Sequence, residues 1–219
     1  MNASYRLMWV FCQVVLRGYF RWRVFDAQRA PRSGPFIMVA NHASFMDPPL
    51  VGATLDFSIH YLGRESLFRH PLGAAILRSW SVVPVDRDGG GAKGLKLILE
   101  RLLAGGGIIL FPEGTRSPDG RLQPARAGVG LTVIKSTCPV IPMRLFGTYE
   151  AWGRHLKFPR PHRVQVKFGR PMDFAELRAE AQSCPKARLR AIYQEVADEL
   201  MAVIARLEPG ADVDRFPAS

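Results

Sequence analysis

The chain has 219 residues, a length typical of one domain with a substantial buried core. Its hydrophobic residues (47%) and charged residues (22%) exclude an intrinsically disordered chain and a membrane protein with many spans. Lys and Arg (30) outnumber Asp and Glu (19), for a formal net charge of +11, which suits nucleic acid, an anionic membrane or a phosphorylated substrate. Most of the basic residues are arginines spread through the patterned stretches and not gathered in a basic tail. This distribution favours an anionic membrane or a phosphorylated substrate.

The three cysteines, Cys12, Cys138 and Cys184, show no paired spacing. This usage indicates a reducing compartment and argues against a cysteine-based metal site. We expect all three to be packing residues.

The N-terminal segment contains an apolar run from about Leu7 to Leu16, interrupted by Gln13. A bilayer span needs roughly 20 apolar residues, so this run is too short. Arginines alternate with aromatic residues after it, where a signal peptide would have small residues. This pattern predicts an interfacial membrane-anchor helix over residues 1–25. The alternative is a helix that packs into the core and whose arginines are merely solvated.

Beyond residue 25, apolar runs of strand length alternate with helical patterns. Strands are predicted at 35–41, 57–63, 81–86, 108–111, 140–146 and 163–168, and helices over 48–55, 70–80, 95–102, 129–136 and 189–204. Alternation of this kind predicts an α/β fold with a mostly parallel or mixed central sheet flanked by helices. We expect residues 26–219 to form one domain, with the N-terminal helix as a membrane-associating addition.

Four of the predicted strands end in unusual polar residues: "NHASFMD", "VDRDGG", "FPEGTRS" and "MRLFG". Open α/β sheets bind ligands where their strands end and their loops begin. The coincidence of four such junctions indicates a functional site more strongly than any one of them.

His42 and Asp47 belong to the first junction and are five positions apart. On one continuous helix they would not share a face, but a helix beginning at Pro48 lets the chain bring Asp47 back toward His42. A carboxylate on one imidazole nitrogen leaves the other nitrogen as a base. Asp47 could instead be a helix N-cap, but Pro49 has no N–H to donate, and capping does not account for His42.

The second junction places Arg87 between two aspartates at a strand end. An arginine there can fork onto a phosphate or a carboxylate. The alternative is a surface turn with a local Arg–Asp pair. The glycines that follow match neither a P-loop nor a dinucleotide-binding loop.

The third junction, "FPEGTRS", is the most specific stretch and crowds Glu113, Gly114, Thr115 and Arg116 into one turn. Gly114 permits close approach of a ligand, and Thr115 and Arg116 supply donors for an anion. Further basic groups follow at Arg121 and Arg126. The alternative is an ordinary turn with a charged rim.

The segment from Lys157 to Arg170 is basic and contains aromatic residues, but it lacks the repeated aromatic arrangement of single-strand nucleic-acid readers. It is more typical of a solvated edge strand near a membrane, and we expect no nucleic-acid partner. The remaining histidines lack partners at ligand spacing, so no metal site is expected: His60, His70, His155 and His162.

Together the four junctions resemble the motifs of the glycerolipid acyltransferase superfamily, in particular the 1-acylglycerol-3-phosphate acyltransferases. "NHASFMD" matches the Asn-His, four residues, Asp motif, and "VVPVDR" matches a strand that ends in an Asp-Arg or Arg-Arg pair. "FPEGTRS" is complete, and "VIPMRL" matches an apolar strand built around Ile-Pro or Val-Pro. The order and spacing agree from about residue 35 to about residue 147, roughly half of the chain.

The resemblance implies that His42 is the general base and that Asp47 is its partner. It implies that Arg87 contacts the phosphate of the acceptor and that Glu113 and Gly114 shape the acceptor site. Arg116 would add phosphate binding or structural support. The basic-Gly sequence that the family has after its third motif is present as "RAG", which makes Arg126 a further candidate.

The activity implied is phospholipid biosynthesis by an O-acyltransferase at the cytoplasmic face of a membrane, held there as a peripheral protein. A fatty acyl group would pass from acyl-CoA or acyl carrier protein to the free hydroxyl of a lysophospholipid, with 1-acylglycerol-3-phosphate giving phosphatidic acid. No cofactor, metal or covalent acyl-enzyme is expected.

Other interpretations stay open at this point. The acceptor could be a lyso-ornithine lipid, glycerol-3-phosphate or a glycolipid. A serine hydrolase is disfavoured, because no G-x-S-x-G elbow exists and Ser44 is close along the chain to His42. A basic protein that binds nucleic acid or a lipid surface without catalysis is supported only by the +11 charge.

Overall fold

The structure, a computed structural model, describes residues 1–85 and 92–210. Its sheet has the strand order β1-β7-β6-β2-β5-β3-β4, with β6 and β7 antiparallel and the other neighbours parallel. The strands are β1 (Arg23–Phe25), β2 (Phe36–Ala40), β3 (Ile59–Arg64), β4 (Val82–Val85), β5 (Gly107–Leu110), β6 (Val140–Phe146) and β7 (Gln165–Phe168). The helices are α1 (Ala3–Gly18), α2 (Asp47–Gly52), α3 (Pro71–Ser79), α4 (Ala92–Leu103), α5 (Ala127–Lys135), α6 (Thr148–Trp152), α7 (Ala175–Glu180) and α8 (Lys186–Arg206), with short 3-10 turns at Ala27–Arg29 and Glu65–Phe68.

Strand β2 shows how the sheet is buried on both faces. Phe36 and Met38 pack into one core with residues of α1 and α2. Ile37 and Val39 pack into a second core with residues of α4, α5 and α8. A strand covered on both faces needs an apolar residue at every position, which accounts for the uninterrupted run in the sequence. The predicted α/β fold with a mixed central sheet flanked by helices is confirmed.

The N-terminal helix is shorter than the sequence predicts. α1 ends at Gly18, and residues 23–25, expected in the same helix, form β1 and pair with β7. Arg21 has a positive φ of 46°, which turns the chain between the two elements. Val24 and Phe25 become buried by this pairing. A three-residue strand carries too little alternation to be recognised from the sequence.

Helices α6 and α7 also lie in stretches that the pattern predicts as connections. They have five and six residues, fewer than two turns, so they show no helical periodicity.

Helix α1 is apolar on two opposite faces. Tyr5 and Leu16 are buried, and Gln13, which interrupts the apolar run in the sequence, donates from its buried amide to the carbonyl of Ala53 at 2.7 Å. The opposite face exposes four apolar side chains: Leu7, Val10, Phe11 and Val14. One face therefore belongs to the core, and no segment of the described chain covers the other. Within residues 1–85 and 92–210, no helix combines the length and the apolar character that crossing a bilayer requires.

Strands β6, β2 and β5 are parallel neighbours in the middle of the sheet. Their carboxyl ends therefore meet at one edge. The three segments that leave these strands are "NHASFMD", "FPEGTRS" and the turn into α6, so the sheet brings three of the four sequence junctions together.

Candidate active site

His42 and Asp47 form a hydrogen-bonded pair at this edge. The distance from His42 Nδ1 to Asp47 Oδ2 is 2.8 Å, and Asp47 is fully buried. The same carboxylate oxygen accepts hydrogen bonds from the backbone N–H groups of Ala43 and Ser44, each at 2.7 Å. Helix α2 begins at Asp47, but these amides precede the helix, so the carboxylate is not a helix cap. The carboxylate instead accepts hydrogen bonds from the imidazole and from these two amides, which hold it against the His42 ring.

The ring nitrogen of His42 that does not contact Asp47 is available to a ligand. The ring stacks on Phe111, with centroids 4.2 Å apart and planes at 21°. The side chain is 13% exposed, and Nε2 makes no hydrogen bond within the described part of the chain. Because Asp47 accepts at Nδ1, the proton of neutral His42 is assigned to Nδ1 and the lone pair to Nε2. This geometry is compatible with the predicted role of His42 as a general base.

Glu113 supports the backbone of His42 from the neighbouring strand. It is 3% exposed, and its Oε1 accepts a hydrogen bond from the His42 N–H at 3.2 Å. Burial, together with the nearby charge of Asp47, raises the pKa of Glu113 to about 7 against the lowering effect of that hydrogen bond. The resemblance implies that Glu113 shapes the acceptor site, which stays a prediction; the contact observed is with the backbone of His42.

The turn that carries Glu113 is fixed onto the His42 loop by a second bond. The N–H of Ser117 donates to the carbonyl of His42 at 2.7 Å. The two motifs therefore hold each other through backbone contacts on both sides of His42.

Gly114 and Arg126 lie against each other in the same turn. Gly114 has a φ of +70°, and a Cβ built on it would lie 3.0 Å from Cδ of Arg126. The N–H of Arg126 donates to the carbonyl of Pro112 at 2.9 Å, and Thr115 is half-buried beside them. Glycine at position 114 therefore lets the side chain of Arg126, 12 positions further along the chain, approach closely.

Arg116 is stacked on an aromatic residue of the first motif. Its guanidinium carbon lies 3.5 Å from the centroid of the Phe45 ring, and that ring lies 5.6 Å from Trp152 of α6. The carbonyl of Arg116 accepts a hydrogen bond from Nη1 of Arg154 at 3.3 Å. A guanidinium held in this way beside the His42 loop is suited to binding an anion.

The end of β6 is joined to the His42 loop by Asn41 and Ser44, to which the sequence interpretation gave no role in holding this loop. The side chain of Asn41 donates to the carbonyl of Leu145 at 3.0 Å and accepts from its N–H at 2.8 Å. Ser44 Oγ is buried and donates to the carbonyl of Trp152 at 2.7 Å. A buried donor to a carbonyl is not an available nucleophile, which weakens the hydrolase interpretation. The position of Asn41 directly before His42 was the available signal.

Of the predicted site residues, the structure brings seven together: His42, Asp47, Glu113, Gly114, Thr115, Arg116 and Arg126. Arg121 is exposed and lies 4.0 Å from Asp119 in the same loop. Arg87 lies outside the described residues.

Comparisons with known proteins show which family the chain resembles. A family model described as "Acyltransferase" matches residues 21–145. A 1-acyl-sn-glycerol-3-phosphate acyltransferase from Limnanthes alba is 30% identical over 143 residues, which are 63% of this chain and 50% of that protein. The Bacillus subtilis enzyme of the same name is 24% identical over 178 residues, covering 78% of this chain and 86% of that protein.

A solved structure shares the fold along nearly the whole chain. The crystal structure of the 1-acyl-sn-glycerophosphate acyltransferase PlsC from Thermotoga maritima superposes with a TM-score of 0.71 at 25% sequence identity. It covers 94% of this chain and 81% of that one. The chain spans only half the length of the Limnanthes alba relative.

The fold and the site define an α/β protein with a His–Asp pair, whose aspartate is buried, and a basic turn at the carboxyl edge of its central strands. The chain belongs to the glycerolipid acyltransferase family of O-acyltransferases, related to PlsC.

Proposed function

We propose that this chain transfers a fatty acyl group from an acyl thioester to the free hydroxyl of 1-acylglycerol-3-phosphate, giving phosphatidic acid. The observation that carries the proposal is the pairing of His42 Nδ1 with Asp47 Oδ2 at 2.8 Å, with Nε2 left unbonded in the described part of the chain. The names of the relatives support the acceptor, since both curated relatives are called 1-acyl-sn-glycerol-3-phosphate acyltransferases.

In the proposed reaction, Nε2 of His42 accepts the proton of the acceptor hydroxyl as its oxygen attacks the thioester carbonyl. Asp47 stabilises the imidazolium that forms. The tetrahedral intermediate then collapses, the carbon–sulfur bond breaks, and the leaving thiolate takes the proton from His42. The ester bond is complete at that point, and the histidine is neutral again. No covalent acyl-enzyme, metal or prosthetic group takes part.

The acceptor phosphate is held by the basic turn in this proposal. Arg116 and Arg126 supply cations, and Thr115 supplies a hydroxyl donor. Arg87 adds a further contact to the phosphate, as the resemblance to the family implies. Binding the phosphate at a fixed distance from Nε2 presents the hydroxyl to the base, and such positioning lowers the entropic cost of the reaction.

The lipid substrate requires a membrane location, which we propose to be peripheral and on the cytoplasmic face, where acyl-CoA or acyl carrier protein is available. The exposed side chains of Leu7, Val10, Phe11 and Val14 form an apolar stripe along α1. The net charge of +11 favours an anionic bilayer surface. An amphipathic helix of this kind lies in the interface plane without spanning.

The test is an acyl-transfer assay with the purified chain, with mass-spectrometric detection of phosphatidic acid. Acyl-CoA and acyl carrier protein thioesters are compared as donors. Lysophosphatidate is compared as acceptor with glycerol-3-phosphate, a lyso-ornithine lipid and a glycolipid. We expect phosphatidic acid from the wild type and from His70→Ala, which alters an exposed histidine at the start of α3, and almost none from His42→Ala. Transfer only to one of the other acceptors would overturn the proposed substrate.

A further inference from the structure

A cavity lies outside the active site, between the end of α1 and the segment that leads into β7. Its volume is about 330 Å³, and its lining residues are Tyr19, Arg21, Pro161, His162 and Arg163. We propose that this cavity binds the phosphate headgroup of an anionic phospholipid in the bilayer, separately from the reacting acceptor.

The first argument is charge. Arg21 and Arg163 both line the cavity, and among the residues that the structure describes no carboxylate lines it. Within the described part of the chain, neither arginine forms an ion pair with a carboxylate. Two unneutralised guanidinium groups on one concave surface are suited to a phosphate, which they can bind through several parallel N–H donors.

The second argument is that backbone hydrogen bonds hold together the two chain segments that form the cavity. The N–H of Val164 donates to the carbonyl of Phe20 at 3.2 Å, and the N–H of Arg23 donates to the carbonyl of Val164 at 3.0 Å. Arg21 lies between these bonds with its φ of 46°. The hydroxyl of Tyr19 adds a bond of 3.2 Å to the carbonyl of Pro159. The two arginine side chains therefore extend from a backbone that is held in place before a lipid binds.

The third argument is the apolar surface beside the cavity, which distinguishes a lipid from a free phosphate. The exposed stripe on α1 includes Leu7, Phe11 and Val14, and helical geometry continues it to Gly18, the residue before Tyr19. Phe158, three positions before the lining residue Pro161, is 79% exposed. A phosphate in the cavity with acyl chains along this apolar surface uses both features, as aromatic and basic residues do at a bilayer interface.

The position of the cavity suggests what the bound lipid does. The segment that forms one wall begins at Gly153, which pairs with Ser44 in the His42 loop. The stripe on α1 alone would allow the chain to roll about the helix axis on a bilayer. A headgroup bound at the end of the helix supplies a second contact and fixes the rotation of the active-site edge relative to the lipid surface.

The experiment measures binding of the full chain to phosphatidylcholine vesicles with and without phosphatidylglycerol. The double variant Arg21→Asn/Arg163→Gln removes both cations, and Asn tolerates the positive φ at position 21. The control variant Lys186→Gln/Arg190→Gln removes two charges from α8, which packs on the opposite face of the sheet from α1. We expect the double variant to bind anionic vesicles on the order of 10-fold to 30-fold more weakly, because each basic residue near such a surface adds appreciably to binding. The control should change binding by less than about 3-fold, and Arg163→Gln alone should give an intermediate loss.

Several outcomes would overturn the proposal. An equal loss in the control variant would mean that only net charge matters. Saturable binding of soluble glycerol phosphate in the absence of lipid, lost in the double variant, would make a free phosphate the occupant. A loss of rate with acyl carrier protein donors alone, at unchanged vesicle binding, would indicate an acidic protein partner.

The rate of transfer to a dispersed short-chain lysophosphatidate separates this inference from the proposed function. The double variant should keep the rate and the KM of the wild type in that assay, because the cavity is not the acceptor site. A raised KM would show that the cavity binds the reacting acceptor and would overturn the inference while leaving the acyl-transfer activity in place.

Discussion

The side chain of Glu113 accepts a hydrogen bond from the backbone N–H of His42 at 3.2 Å, although 71 positions separate the two residues. With the bond from Ser117 to the His42 carbonyl, it clamps the histidine between the ends of β2 and β5. His42 is thus positioned from three directions: its ring by Asp47, and its backbone amide and carbonyl by the neighbouring loop.

Replacing Glu113 should change how stability depends on pH. Burial raises the pKa of Glu113 from 4.5 to about 7, so the folded chain holds this proton more tightly than the unfolded chain. The stability from this group is full below about pH 4.5 and is lost as the pH rises through 7. Glu113→Gln mimics the neutral acid and should not show this loss. In the wild type the free energy of unfolding should fall by up to ~3 kcal/mol through this group as the pH rises, since one pKa unit corresponds to about 1.4 kcal/mol.

The measurement is urea unfolding of the wild type and of Glu113→Gln at about pH 5 and about pH 8. Glu176→Gln, at an exposed site in α7, is the matched control and should follow the wild type. Identical pH dependence in all three proteins would show that Glu113 titrates normally.

Removing the base should lower turnover sharply and leave the fold in place. His42→Ala should lower kcat on the order of 100-fold to 10,000-fold, the span typical of a general base. Asp47→Asn should also lose most activity, because the imidazolium loses its charged partner. Thermal melts establish that each variant is folded, and a folded His42→Ala protein with near-normal kcat would contradict the mechanism.

The basic turn should discriminate between acceptors by their phosphate. Arg116→Ala and Arg126→Ala should raise the KM for lysophosphatidate far more than the KM for a phosphate-free monoacylglycerol, since only the first acceptor loses a charged contact. Arg87→Ala is expected to behave in the same way. Steady-state kinetics on both acceptors tests each variant, and an equal effect on both would assign a structural role to that arginine.

The two faces of α1 should respond differently to mutation. Leu7→Gln/Phe11→Gln changes exposed side chains and should weaken vesicle binding with little change in Tm, because apolar insertion is lost. Leu16→Ala removes a buried side chain and should cost about 2–5 kcal/mol of stability while vesicle binding persists. Vesicle flotation and thermal melts are compared for both variants.

A binding loss confined to Leu16→Ala would place the membrane contact elsewhere. Deleting residues 1–25 is a poorer test, because it also removes β1 and the buried Tyr5. The truncated chain should be less stable than the wild type.

The local sequence predicted the alternating strands and helices and the pairing of His42 with Asp47, because both kinds of contact are decided over short separations. The uninterrupted apolar run of β2 predicts a strand covered on both faces, and two prolines after Asp47 place the start of α2. The residue types of "FPEGTRS" also predict an anion-binding turn, which stays a prediction.

Tertiary structure decided which of these groups meet. Glu113 reaches His42 only because β5 lies beside β2, and Asn41 reaches Leu145 only because β6 lies on the other side. Gln13, a break in an apolar run by sequence, is buried because its amide finds the carbonyl of Ala53 on another helix. Such contacts depend on strand order and helix orientation, which arise from the packing of distant segments and leave no periodic pattern in the chain.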